Sequence, residues 1–368
     1  MRVAIIVPML LACLALAPGP VRAAAAAASG TAATEIGMRD AAAYRIDIPA
    51  RWNRGLVVFF HGYSVEPVVF RDGERLSPMF DPLLDKGFAV IQSAYSATGW
   101  AVEQGAADTE RLRRYFVARH GPPTRTFAMG MSMGGTLTVM AIETAPRTYD
   151  GALSLCGAIE PPDAFMQRDF ALRAAFDYYV PGLLGTLVPV APDYQPTGAV
   201  VARIAAALQA KPGAYAALRA IYGAADPRSL PDVIAFITYD IKEMQQRTHG
   251  NPFGNADLVY TGPDDVFALN DGVHRYRADP AAAAYMSRWY TPSGQLLKPM
   301  LALHDSGDPL VVASTAFNYA LLAQRAGHGD HFVQQYVHAE GHCVFTPAQV
   351  GRAFDELVAW TRTGRRPG

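Results

Sequence analysis

The sequence has little charge and no excess of one sign. Only 18% of its 368 residues are Asp, Glu, Lys or Arg, and the formal net charge is −1. The cluster of Arg111, Arg113 and Arg114 fits the solvent-facing side of a helix, so no basic run of useful length remains. This composition gives no support for a nucleic-acid partner or a strongly acidic substrate. About half of the residues are apolar, which favours a sizeable core over disorder.

Long apolar runs are absent beyond the N-terminal region, so no later segment is expected to span a membrane. At the start, Arg2 precedes an apolar run over residues 3–17, and small residues follow it. This pattern is typical of a signal peptide, which we predict over residues 1–28. The protein is therefore expected to be secreted or periplasmic.

Two alternatives for the N-terminal region are weaker. A membrane anchor is disfavoured because Pro8 and Pro18 break an apolar run that is already short for a bilayer. Lipoprotein processing at Cys13 is disfavoured because the apolar run continues past that residue.

Cysteine is scarce. After removal of the predicted signal peptide only Cys156 and Cys343 remain. In an oxidising compartment the two can form a disulfide, and the alternative is a pair of buried thiols.

Internal repeats are also absent, and strands alternate with helices instead. Apolar runs that end in turn residues predict strands, and apolar residues at helical spacing predict helices. The strands are expected at 55–60, 88–91, 126–129, 151–155, 299–303 and 331–337, with helices at 103–120 and 350–361. This alternation predicts an α/β fold with a mostly parallel central sheet flanked by helices.

The alternation of predicted strands and helices stops between about residues 160 and 298. Apolar residues between 230 and 244 follow helical spacing, whereas residues 251–272 are rich in Asn, Gly, Asp and Pro and are predicted to form a loop. We interpret 161–297 as a mainly helical cap inserted into a core of 35–160 and 298–368. The alternative, an independent second domain, is disfavoured because no flexible linker flanks the segment.

A Gly-x-Ser-x-Gly pattern lies where a predicted strand gives way to a helix. Ser132 stands between Gly130 and Gly134. A tight strand-to-helix turn needs small residues on both sides and presents the serine at the N-terminus of the helix, where backbone N–H groups favour negative charge. Ser132 is therefore the candidate nucleophile. A purely structural glycine-rich turn is the alternative.

A serine hydroxyl needs a base, and His342 is the best-placed histidine because it follows the last predicted strand and precedes the last helix. His304 and His338, at strand ends, are competitors. His61 is better placed for a loop that binds an oxyanion.

The base in turn needs a carboxylate to orient it. Asp308 lies in the turn beyond the fifth predicted strand and is the preferred candidate. Asp305 competes with it, and Glu160 is a distant third. The backbone N–H groups of Met133, which follows the serine, and Tyr63, after the first strong strand, are the predicted oxyanion-hole donors.

The four segments at His61, Ser132, Asp308 and His342, in this order, resemble the α/β-hydrolase superfamily. The resemblance covers residues 55–160 and 298–362 and leaves the cap uncovered. It implies an α/β-hydrolase fold, a serine esterase, lipase, peptidase or acyltransferase activity, and no cofactor or metal.

Cys343, directly after the histidine, resembles tannase-like and feruloyl-esterase-like enzymes. In those enzymes a cysteine beside the histidine is bonded to one beside the serine. Methionines flank Ser132 here, so the resemblance leaves Cys156 as the available partner of Cys343. Such a bridge would tether the His342 loop to the sheet.

The expected reaction is hydrolysis of a small or oligomeric carboxylic ester. The alternatives are a prolyl-peptidase-like serine peptidase, an acyltransferase and, least favoured, a non-catalytic binding protein. The sequence shows no marked acidic pair in the cap that would bind a peptide amino terminus. The many Tyr, Leu, Val and Ala residues of the cap favour an apolar pocket.

Overall fold

A computed structural model describes residues 31–223 and 227–368. These residues form one eight-stranded sheet with helices on both faces. The predicted signal peptide, residues 1–28, lies outside the described residues. The strands in chain order are β1 (Thr31–Arg39), β2 (Ala42–Pro49), β3 (Gly55–Phe60), β4 (Phe88–Ser93), β5 (Arg125–Met131), β6 (Gly151–Leu155), β7 (Met300–Gly307) and β8 (Phe332–Glu340).

The strand order across the sheet is β1-β2-β4-β3-β5-β6-β7-β8. The pairs from β4 to β8 are parallel, whereas β2 is antiparallel to both β1 and β4. The central strand β3 is buried along its whole length, as its continuous apolar run requires. This topology is that of the α/β-hydrolase fold, and the predicted fold class is confirmed.

Eleven α-helices lie in the described residues. They are α1 (Asp81–Asp85), α2 (Val102–His120), α3 (Met133–Thr144), α4 (Pro162–Tyr179), α5 (Gly198–Ala210), α6 (Pro212–Tyr222), α7 (Leu230–Thr248), α8 (Val266–Gly272), α9 (Pro280–Arg288), α10 (Ser314–Arg325) and α11 (Pro347–Thr363). Short 3₁₀ helices cover 78–80, 227–229 and 329–331. Within the described residues, no helix has the length and apolar character needed to cross a bilayer.

Two apolar layers sandwich the sheet. On one face, α1 and α11 pack over strand residues such as Phe127 and Leu153. On the other face, α2, α3 and α10 pack over alternate strand residues such as Val58 and Ala128. Neighbouring residues of a strand point to opposite faces, so strands that are buried on both sides are apolar throughout.

The helices α4 to α9 lie between β6 and β7 and cover the carboxyl ends of the strands. The ring of Phe165 on α4 stacks on Trp100, and Phe236 on α7 meets Tyr63 edge-on. The hydrophobic cluster on this face of the sheet continues into these helices without a break. The division into a core and a cap inserted over 161–297 stays a prediction.

Two parts of the chain differ from expectation. Strands β1 and β2 were not predicted, because the prediction relied on continuous apolar runs, whereas polar residues interrupt both strands, such as Glu35 in β1 and Arg45 in β2. The prediction of a loop over 251–272 is wrong at its C-terminal end, where α8 (Val266–Gly272) forms. The Asn270 side chain donates hydrogen bonds to the carbonyls of Tyr260 and Val266, and so satisfies backbone groups that an isolated turn would leave to solvent.

Candidate active site

Ser132 occupies a sharp turn between β5 and α3. Its φ of 56° lies in the left-handed region, which is unusual for a residue with a side chain. A Cβ atom on Gly130 would collide with the carbonyl oxygen of Gly134, and one on Gly134 would collide with that of Phe60. The two glycines therefore let the turn approach β3 closely, and they hold the Ser132 side chain at the carboxyl edge of the sheet.

Ser132, His342 and Asp308 form one hydrogen-bonded chain. The Ser132 Oγ lies 2.8 Å from Nε2 of His342. The Nδ1 of the same ring lies 2.7 Å from Oδ2 of Asp308. The three residues come from separate strand ends, and the structure brings together all three that the sequence predicted.

Backbone hydrogen bonds fix the orientation of the Asp308 side chain. Its side chain is fully buried, and Oδ1 accepts the backbone N–H groups of Leu310 and Val311 at 2.8 and 2.9 Å. These bonds leave Oδ2 directed at His342. The turn after β7 thus presets the carboxylate orientation, which limits the freedom of the imidazole ring.

The predicted competitors have other partners. Oδ2 of Asp305 accepts the N–H of Val344 at 3.2 Å, and burial raises the pKa of Asp305 to about 6. The buried His304 contacts the Val311 carbonyl through Nε2 at 2.6 Å, and burial lowers its pKa. His338, the other competing histidine, lies within β8. The residue that contacts the Ser132 hydroxyl is His342.

Glu160, the third carboxylate considered, is buried at the exit of β6. It accepts hydrogen bonds from Arg168 at 3.3 Å and from Asn318 at 2.5 Å. These contacts link α4 to α10. Glu160 therefore takes no part in the hydrogen bonds that join Ser132, His342 and Asp308.

The loop after β3 runs alongside Ser132. A Cβ atom on Gly62 would lie 3.0 Å from the Cβ of Ser132, so any other residue here would have to displace the Ser132 turn by a few tenths of an ångström. The His61 ring stacks on Tyr95 at 3.7 Å between centroids, and its Nδ1 contacts the Gly62 carbonyl at 2.7 Å. Burial lowers the pKa of His61, which favours the neutral ring in this contact. Tyr63, the residue after Gly62, lines the cavity above Ser132.

A disulfide joins Cys156, directly after β6, to Cys343, directly after His342. The Cα atoms are 5.3 Å apart, and the bridge spans 187 residues of sequence. It ties the loop that carries His342 to the sheet beside the Ser132 turn. Although the ligand atoms of Cys156, His342 and Cys343 cluster within 4.8 Å, both sulfurs are bonded to each other and are not free to act as thiolate metal ligands.

A cavity of about 400 Å³ opens above Ser132, a size typical of small-molecule sites. Most of its wall is apolar. Trp100, Met131 and Met133 line it, whereas Tyr95 is buried against the His61 ring. The other apolar lining residues are Ala158, Phe165, Phe236, Leu310 and Val311.

Two cap carboxyls in this wall were missed from the sequence. Asp169 on α4 and Asp240 on α7 both line the cavity, although no acidic pair was expected. Burial raises the pKa of Asp169 to about 7 and that of Asp240 well above its usual range. The same signal was present for both, because each aspartate lies among apolar residues at helical spacing. Asp240 falls between Ile237 and Met244, and Asp169 falls between Phe165 and Leu172.

No protein-family model matches the chain, and no curated protein matches it in sequence. Solved structures do match. The monoacylglycerol lipase of Paleococcus ferrophilus is 16% identical with a TM-score of 0.42, over 90% of this chain and all of the other. Feruloyl esterase B of Aspergillus oryzae is 13% identical with a TM-score of 0.45, over 89% and 78%. The acylaminoacyl peptidase of Pyrococcus horikoshii is 8% identical with a TM-score of 0.48, over 89% of this chain and 40% of the other. The chain thus spans well under half of the length of such peptidases.

Replacing both cysteines, as Cys156→Ser with Cys343→Ser, should lower the free energy of unfolding. Loss of a cross-link that closes a loop of this length costs up to about 5 kcal/mol in the chain-entropy description. Denaturant titration monitored by tryptophan fluorescence measures the change. Unaltered unfolding of the double variant, or two free thiols in the denatured unreduced wild type, would refute the bridge.

Proposed function

We propose that this chain is a secreted serine hydrolase that cleaves carboxylic esters. Ser132 is the nucleophile, His342 the general base, and Asp308 the carboxylate that orients the base. The single observation that carries the proposal is the continuous hydrogen-bonded chain from hydroxyl to imidazole to buried carboxylate, with links of 2.8 and 2.7 Å. A serine in a purely structural turn has no need of such a chain.

The first step is proton removal. His342 takes the proton of Ser132 through Nε2 while the oxygen attacks the ester carbonyl carbon. Asp308 accepts the N–H at Nδ1, which selects the reactive tautomer and stabilises the imidazolium that forms. Because Asp308 is already held by two backbone N–H groups, little reorganisation accompanies the charge change.

The carbonyl oxygen then becomes an oxyanion and needs donors. Met133 is the first residue of α3, where a backbone N–H has no carbonyl one turn earlier to bond. The positive end of the α3 dipole adds to this field. The second donor is the N–H of Tyr63, in the loop that Gly62 brings against Ser132.

Collapse of the tetrahedral intermediate expels the alcohol and leaves an acyl group on Ser132. His342 gives its proton to the departing alcohol, then activates a water molecule that releases the acid. The apolar wall of the cavity suits a hydrocarbon or aromatic portion of the substrate. Peptidase and acyltransferase activities would use the same first step.

Export is supported by two independent features. The first residues have the composition of a signal peptide. The disulfide between Cys156 and Cys343 is of a kind that persists mainly in oxidising compartments.

Ser132→Ala should lower kcat/KM for p-nitrophenyl butyrate by about a thousandfold or more, since the nucleophile is lost while the fold remains. Steady-state release of p-nitrophenol measures this change. The matched control is Ser287→Ala, an exposed serine on α9, which should behave as the wild type. Retained turnover in Ser132→Ala would contradict the assignment.

Asp308→Asn and Asp305→Asn distinguish the two candidate carboxylates. Asp308→Asn should lower kcat by about 10²- to 10⁴-fold, because an amide neither selects the tautomer of His342 nor stabilises the imidazolium. Asp305→Asn should cost far less in kcat, since Asp305 bonds the Val344 N–H and not the imidazole. The same ester assay gives both values. The reverse order of effects would transfer the role to Asp305.

A further inference from the structure

Four polar atoms in the wall of the catalytic cavity are buried and have no hydrogen-bond partner among the described residues. They are Oη of Tyr63, Nε1 of Trp100, Oδ1 of Asp169 and Oδ1 of Asp240. Leaving a buried polar group unpaired costs about 1–3 kcal/mol, so four in one cavity favour a ligand that completes them. The remaining lining residues are largely apolar.

The two aspartates dominate the patch. Only 3% of Asp169 and 5% of Asp240 is exposed, so water solvates neither carboxyl well. They come from different helices, α4 and α7, and the charge of Asp169 contributes to the raised pKa of Asp240. Two carboxyls at such a site repel each other when both are ionised, unless a cation lies between them.

The two arginines near the pair form ion pairs with other carboxylates, although Nε and Nη2 of Arg168 have no hydrogen-bond partner among the described residues. Arg168, beside Asp169, forms an ion pair with Glu160 at 3.3 Å. Arg247, on the Asp240 side, forms one with Glu243 at 2.6 Å. The other titratable neighbours, Tyr222 near Asp169 and Tyr63 near Asp240, carry no positive charge. Each arginine has another carboxylate as its ion-pair partner and acts on the aspartates only through space, where Arg168 lowers the pKa of Asp169 and Arg247 that of Asp240. No ion pair joins either aspartate to an arginine among the described residues.

We propose that Asp169 and Asp240 form a subsite for a primary ammonium group of the substrate. This inference rests on the proposed function, since it places the subsite in the cavity of the same nucleophile. An ammonium has three N–H donors, which match the two unpaired carboxylate oxygens and the Tyr63 hydroxyl. The Nε1–H of Trp100 is itself a donor and would bond an acceptor oxygen elsewhere in the substrate. The preferred substrates are then esters or amides that carry a free amino group, with their hydrocarbon portion against the apolar wall.

The sign of the pH dependence separates this proposal from recognition of a neutral group. An ammonium ion binds ionised carboxylates, so its affinity should rise as pH increases through about 7, where the carboxyl of Asp169 loses its proton. A neutral hydroxyl or carbonyl ligand would instead accept hydrogen bonds from protonated carboxyls, and its affinity would fall over the same pH range.

The test is competitive inhibition of p-nitrophenyl butyrate hydrolysis by 2-phenylethylammonium and by 2-phenylethanol, a neutral molecule of similar shape. At pH 8 the inhibition constant of the ammonium should be at least about tenfold lower than that of the alcohol. The advantage should shrink at pH 6. Asp169→Asn and Asp240→Asn should each reduce the ratio of the two constants, whereas Asp232→Asn, an exposed aspartate on α7, should not.

Three outcomes would overturn the subsite. They are equal inhibition by both molecules, stronger inhibition by the ammonium at lower pH, and no inhibition by either. These three outcomes are measured on the wild type. They therefore test the subsite even if Asp169→Asn or Asp240→Asn does not fold. If the neutral ester is not hydrolysed at all, the proposed function fails. Calorimetric titration of the wild type with the ammonium then tests the subsite separately, and absence of binding there would reject it.

Discussion

The site depends on a close backbone approach at the turn that carries Ser132. Gly130 and Gly134 let the start of α3 pass against the end of β3, in space that any side chain would fill. The turn holds Ser132 at a positive φ and directs it away from the sheet. This strain is maintained by the surrounding parallel strands, and the other site residues are arranged around the hydroxyl that the turn presents.

The parallel sheet gathers those residues because its carboxyl edge collects the ends of several strands. The loop after β3 brings Gly62 and Tyr63, the turn after β7 brings Asp308, and the segment after β8 brings His342. Two restraints hold the last of these segments: the disulfide to Cys156 and the hydrogen bond from Val344 to Asp305. The helices α4 and α7 close the space above and supply four of the residues that line the cavity: Phe165, Asp169, Phe236 and Asp240.

Local signals made the core and the candidate triad predictable. Buried parallel strands are continuous apolar runs, and the glycines around Ser132 fix the turn type. Strands β1 and β2 lie towards one edge of the sheet with mixed composition, so their pairing depends on contacts far along the chain. The pairing of Asp169 with Asp240 was not predictable, because it depends on how α4 packs against α7 and no periodicity specifies that.

The central claim is that the Ser132 hydroxyl is a reactive nucleophile. The most direct measurement is to treat the native protein with a fluorophosphonate and to locate the adduct by mass spectrometry of its peptides. The account predicts one stoichiometric adduct, on Ser132, that does not form after denaturation. An adduct on a different residue, or no adduct on correctly folded protein, would contradict it.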